Sequence, residues 1–168
     1  MVNFTTQVFQ AVGLGYGKMA EDVMDRKPRG EDEPILDRMR FVWIAVSGLV
    51  MAAITVGIAW WGDDHHDAAV ARTMALTTFS IANLVFSFTA LDETRTVFSL
   101  ETVSDRKFLM ICGLSALAIV LGTELGMLNR FLQTTPLSRG EWGVCLLLPL
   151  TVVAASELWK LFLRRREA

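Results

Sequence analysis

Four apolar runs of roughly twenty residues each fill the chain from Phe41 onward, and they constrain its fold more than any other feature. They occupy residues 41–61, 74–91, 108–128 and 142–163. A helix crossing ~30 Å of hydrocarbon needs about 20 mostly apolar residues, so each run is long enough to span. Hydrophobic residues make up 52% of the chain while charged residues still make up 20%. In a soluble domain such apolar content would be dispersed with period 2 or 3.6; here it is blocked, and the charges collect in the gaps. Loops of moderate length join the runs, which suits antiparallel packing. The expectation is an all-α membrane protein: a four-transmembrane-helix bundle over 41–163, preceded by a short N-terminal half-helix or stub. The second run carries Thr77, Thr78, Ser80, Asn83, Ser87 and Thr89, so one of its sides should face protein rather than lipid.

Lys and Arg placement sets the expected orientation. Lys18, Arg26, Lys27, Arg29, Arg38, Arg40, Arg95, Arg106, Lys107, Lys160, Arg164, Arg165 and Arg166 fall on one side. Arg72, Arg130 and Arg139 alone fall on the other. Both chain termini are therefore expected in the cytoplasm, with the bundle in the plasma membrane. Trp60, Trp61 and Trp142 lie at the outer boundary and Trp43 and Trp159 near the inner one, as interfacial belts require. Residues 1–17 are only partly apolar and are interrupted by Gly13, Gly15 and Gly17, so they are too short to span alone. They read as a half-helix or as the stump of a span. Residues 18–40 read as a cytosolic loop, and 164–168 as a basic tail suited to anionic lipids.

Other function classes are excluded by composition. A net charge of −2 without a basic, aromatic-interleaved stripe gives no nucleic-acid surface. Val2 to Gln10 lack a basic n-region and are too polar for an h-region, so no secretory signal is expected. Cys112 and Cys145 fall inside apolar runs and read as small buried hydrophobes rather than a disulfide or metal pair. Gly13-Leu14-Gly15-Tyr16-Gly17 has the wrong spacing for a phosphate loop. No cofactor is expected.

Several motifs occur in an order that carries a family resemblance. Asn3 and Thr6 are followed by Ala11-Val12-Gly13-Leu14-Gly15-Tyr16, Asp22-Val23-Met24 and Asp32-Glu33-Pro34-Ile35-Leu36. Ala71-Arg72-Thr73-Met74-Ala75, Ser104-Asp105-Arg106-Lys107, and Leu132-Gln133-Thr134-Thr135-Pro136-Leu137 with Trp142 come after them. Together they resemble the C-terminal membrane region of P-type cation pumps of the calcium or sodium/potassium kind. The matched part runs from the end of the sixth transmembrane helix through the tenth. In that register the family's sixth-helix aspartate falls at Gln7, and the acidic residue that calcium pumps place in the eighth helix falls at Asn83. Amide oxygens supply no charge to offset the desolvation of a cation, which argues against a tight divalent site of the calcium-pump kind. Nothing in the sequence resembles the phosphorylation loop, nucleotide-binding domain or actuator domain of such pumps, so the chain by itself is not expected to be an enzyme.

Asn3, Gln7, Asn83 and Glu124 are the candidate cation ligands, with His65 and His66 weaker ones. Glu124 is the carboxylate well inside a predicted span, flanked by Gly122 and Gly126. An intramembrane acid is a functional candidate, but at about one turn from the outer end it is favoured to snorkel or to pair structurally. The Gly122-x-x-x-Gly126 spacing also permits close helix approach. Asp63-Asp64-His65-His66-Asp67 offers metal-ligand chemistry but reads as a solvated cap on a hairpin, because adjacent residues rarely converge on one ion. Glu157 and Lys160 are expected to pair across one helical turn. The resemblance implies a non-catalytic accessory or partner subunit of a membrane transporter, packing on other transmembrane helices or on a P-type catalytic chain. The alternatives are an independent ion-binding or ion-conducting module and a truncated pump remnant.

Overall fold

The computed structural model describes residues 38–90 and 106–167, together with Val8, Ala11, Val12 and Gly15 as single helical positions. Asn3, Gln7, most of the expected stub and cytosolic loop, and residues 91–105 lie outside the described residues.

Among the described residues the secondary structure is all α-helix: α1 (Arg38–His65), α2 (Ala68–Ala90), α3 (Arg106–Glu124), α4 (Gly126–Leu132), α5 (Arg139–Leu147) and α6 (Leu150–Glu167). Lipid offers no hydrogen-bond partner, so an apolar run must satisfy its backbone within itself, which the α-helix does. α1, α2 and the combined run Arg139–Phe162 are long and apolar enough to cross a membrane. The chain thus forms a membrane-associated helical bundle of the multi-pass kind.

The expectation of four full spans differs from this at the third. The apolar part of α3 is the shorter Phe108–Glu124, and the run expected to continue to residue 128 breaks at Leu125, an extended residue with φ −82° and ψ 112°. The cause lies in who takes the carbonyls. Leu121 O still accepts from Leu125 N at 3.0 Å, but Gly122 O accepts the Thr134 hydroxyl at 2.7 Å. A side chain from a later loop has inserted into the helical ladder, a recognised cause of kinks.

The fourth span is divided differently, at Pro149. Proline has no N–H to give Cys145 O, and the chain crosses the gap with tighter turns: Thr151 N bonds Leu148 O at 3.1 Å and Val152 N bonds Pro149 O at 3.0 Å. α5 and α6 nevertheless form one apolar run.

α2 is the centre of the bundle and packs against α1, α3, α5 and α6. One core cluster joins Ile58, Met74, Ile81, Ile119, Leu137 and Cys145; a second joins Met51, Ala82 and Val152. Trp43 stacks on Phe86, and Phe88 meets Phe108 edge-on, which pins α1 and α3 to the Ala90 end of α2. At the opposite end α1 and α2 approach so closely that a Cβ on Gly62 would lie 2.9 Å from Ala71 Cβ.

Candidate functional site

The polar stripe on α2 is the part of the bundle most suited by composition to an ion path. Thr73, Thr77, Thr78, Ser80, Ser87 and Thr89 are all buried, so the expected protein-facing side is present. Half of these hydroxyls bond backward to their own helix: Thr73 to Ala69 O at 2.8 Å, Ser87 to Leu84 O at 2.6 Å and Thr89 to Phe86 O at 2.8 Å. Thr77, Thr78 and Ser80, with Ser115 on α3 and Ser156 on α6, find no hydrogen-bond partner among the described residues. The stripe offers neutral oxygens and no carboxylate. Asn83 is half-buried and donates Nδ2 to Phe79 O at 2.9 Å.

A second polar group gathers at the end of the bundle that carries the α1–α2 turn. It is built by the 133–138 loop. Gln133 closes α4 in the left-handed conformation with φ 55°, which turns its carbonyl to the Arg72 guanidinium at 2.8 Å. Thr134 bridges Gly122 O and Asn129 Oδ1, the latter at 3.1 Å. Thr135 N donates to Thr73 Oγ1 at 3.0 Å. Ser138 then caps α5: its hydroxyl accepts from Glu141 N at 3.4 Å, while Glu141 Oε2 accepts from Ser138 N at 2.6 Å. This capping box satisfies two helix-end donors at once. The spelling Ser138-Arg139-Gly140-Glu141 displays it in sequence, a local signal that hydropathy passes over.

The expected site residues fall into this frame separately. Glu124 is exposed at the C-terminal end of α3, and its Oε1 accepts Trp142 Nε1 at 2.8 Å. That is the structural pairing expected of it, and its partner is a residue the sequence marks as part of an interfacial belt and of the family motif, not as a bond to Glu124. His66 Nδ1 stands 3.3 Å from Glu141 Oε1, whereas His65 Nδ1 bonds Trp61 O at 2.8 Å. Both rings also pack on the Trp61 indole, His65 stacked and His66 edge-on, while among the described residues only His66 meets Glu141. Among the described residues no group of three His, Cys, Asp or Glu side chains is placed to hold a metal ion. Asn83 lies about 22 Å along α2 from its Ala68 end, at ~1.5 Å per residue, so it is far in depth from Glu124. Asn3 and Gln7 are outside the described residues.

Two further expectations meet different outcomes. Glu157 and Lys160 do pair, at 3.9 Å. Of the Gly122-x-x-x-Gly126 pair, Gly122 is buried and takes the Thr134 hydroxyl, while a Cβ on Gly126 would meet nothing within 4 Å. A close helix approach is seen at Gly62, because the short turn around Asp67 holds α1 and α2 together at that level. Cys112 and Cys145 are buried and free, as expected.

A family model described as "Cation transporting ATPase, C-terminus" matches residues 1–162. Among curated proteins, the chain is 26% identical over 149 residues to "Probable cation-transporting ATPase F" of Mycobacterium tuberculosis, covering 84% of this chain and 16% of that protein. It is 23% identical to "Cation-transporting ATPase pma1" of Synechocystis, covering 91% of this chain and 18% of that one. It is 28% identical to "Calcium-transporting ATPase 3, endoplasmic reticulum-type" of Arabidopsis thaliana, covering 98% and 19%. The chain thus spans about a fifth or less of the length of these relatives. Their names are mixed, general cation and calcium, so the kinship is with cation-transporting ATPases as a class.

Proposed function

The chain belongs to the family of cation-transporting ATPase C-termini, and on that premise we propose that it is a non-catalytic supporting unit of a membrane cation transporter, packed against transport helices that another chain supplies. One observation carries this reading. On α1, Ala45, Gly48 and Ala52 follow one another at i, i+3 and i+7 and are exposed, and a Cβ on Gly48 would meet nothing within 4 Å. Small residues on one stripe are what helices in lipid use to bring backbones close. Among the described residues, that stripe is left uncovered.

The supporting role also fits what the polar residues do. Asn83 is bonded to its own helix and Glu124 to Trp142, at separate depths. An ion-conducting module would have to use the two at separate depths, or across more than one copy of the chain. The strong Lys/Arg asymmetry supports cytoplasmic termini in the plasma membrane, and the basic tail suits anionic lipid. Calcium or sodium/potassium pumps are the kind of transporter the motif resemblance favours.

The test is a pull-down of the tagged chain from its native membrane in mild detergent, followed by mass spectrometry. Recovery of a chain bearing an Asp-Lys-Thr-Gly phosphorylation loop is expected. Gly48→Leu, which fills open space in this chain, should leave its own fold intact and abolish that recovery. A wild-type chain that comes alone, or equal recovery with Gly48→Leu, sinks the proposal.

A further inference from the structure

The outward face of α3 carries large apolar side chains, as Leu49 and Val56 do on α1, but the charges at its two ends stand closer together. Arg106, Met110, Leu117, Leu121 and Glu124 project from one side, since their separations fall near whole turns of ~3.6 residues. All five are exposed. Met110 is 75% exposed and Leu117 52%, while the opposite face, Phe108, Cys112, Ser115 and Ile119, is buried against the bundle. The exposed apolar side chains here are large, the composition that meets acyl chains rather than a closely packed helix.

Charge stands at both ends of this face on α3, and the exposed Leu125 and Met127 beyond Glu124 belong to the turn and to α4. Arg106 and Glu124 lie 18 residues apart, so they stand about 27 Å apart along the axis, and an average tilt of ~20° lowers their separation in depth to about 25 Å. Glu124 does not reach past the helix end, because Trp142 Nε1 holds it at 2.8 Å and Leu125 turns the chain away. Indole rings sit at the headgroup level, so the Glu124–Trp142 pair marks where the headgroups must come. The other walls are longer. α1 is free of charge from Phe41 to Gly62, about 32 Å. α6 turns Lys160 inward at 3% exposure and carries its outer face on through Leu158, Leu161 and Phe162.

We propose that the α3 face is a lipid-contact surface that selects shorter acyl chains and thins the bilayer locally, on one side of the bundle only. A typical hydrocarbon core is ~30 Å thick, several ångströms more than the Arg106–Glu124 distance in depth, and a short wall is met by thinning of the bilayer. The proposal rests on the bundle's crossing the membrane and not on which partner it supports.

A fluorophore on Leu117→Cys reads this face, and one on Leu49→Cys reads the outward face of α1. Cys112 and Cys145 are buried, and the unsubstituted chain measures their background labelling. The full-length protein is reconstituted in bilayers of about 18-carbon phosphatidylcholine containing brominated phosphatidylcholines of about 14 to 22 carbons per chain. At Leu117→Cys the shortest brominated lipid should quench roughly twofold better than the 18-carbon one, and at Leu49→Cys it should have no such advantage. Adding Glu124→Leu should remove the preference, and Glu124→Gln, which keeps a polar end and an acceptor for Trp142, should retain it. If Glu124→Leu does not insert, Leu121→Glu serves instead, and by moving the charge about one turn inward it should strengthen the preference. Equal chain-length profiles at the two labels, or a profile unmoved by these substitutions, overturns the proposal. Absence of quenching at Leu117→Cys overturns it as well and assigns the face to another helix.

Discussion

Gly62→Ala gives the sharpest test of how the bundle is held. The new Cβ would lie 2.9 Å from Ala71 Cβ and 3.0 Å from Ala71 Cα. Carbon atoms in good contact stand about 3.5–4.0 Å apart, so α1 and α2 must separate by roughly 0.5–1 Å at this level. Neither neighbouring atom can rotate away, since one is backbone and the other is fixed to it. Overpacking of this kind costs about 1–3 kcal/mol, offset by the ~0.8–1 kcal/mol that alanine gains over glycine in a helix. The net expectation is a loss of ~0–2 kcal/mol. Gly48→Ala, with open space around it, should instead be neutral or stabilising by up to ~1 kcal/mol. Reversible unfolding in mixed detergent micelles measures both, and the difference between them isolates the steric clash from the helix propensity. Gly62→Ala with Ala71→Gly should recover only part of the loss, because the backbone carbon of residue 71 still crowds the new methyl group. If Gly62→Ala proves as stable as Gly48→Ala, the close α1–α2 approach is refuted.

Other substitutions address the polar contacts by the same unfolding measurement. Thr134→Val leaves Gly122 O without its inserted hydroxyl and should cost about 1–3 kcal/mol. Thr134→Ser, which keeps the donor, should cost less. Glu141→Ala removes the α5 capping box and the His66 contact together and should cost about 1–2 kcal/mol; Glu141→Gln should restore most of the cap. Ser80→Ala and Ser115→Ala delete buried hydroxyls that have no partner among the described residues. They should be neutral or mildly stabilising in the isolated chain, and a loss above ~1 kcal/mol would show that these hydroxyls are bonded after all.

The long spans were legible because lipid imposes a single rule on sequence. A charge-free run of sufficient length, such as 41–61 within α1, has no option but helix. The buried side of α2 was legible for a related reason, since hydroxyls cluster where they avoid acyl chains. The break at Leu125 was not. The sequence dips at 122–126 but turns apolar again at Met127 and Leu128, and the break itself comes with a hydroxyl from Thr134, twelve residues beyond Gly122. The Glu124–Trp142 bond spans 18 residues and depends on where α5 docks, which composition does not encode. The capping box was local and could have been read from Ser138 and Glu141. Asn83 and Glu124 stand at different depths with different partners, and neither depth nor partner is written in the local sequence.

The central position of α2 bears on how the chain is made. α2 is the least apolar of the three long runs and has the largest buried share, so much of its surface suits protein better than acyl chains. α1 is the most apolar and can leave the insertion machinery into lipid unaided. The tight turn at Asp67 and the Gly62–Ala71 contact then present α2 with a ready surface as soon as it emerges. The expected order of assembly is α1 and α2 as a hairpin first, with α3, α5 and α6 packing on the faces of α2 that remain open.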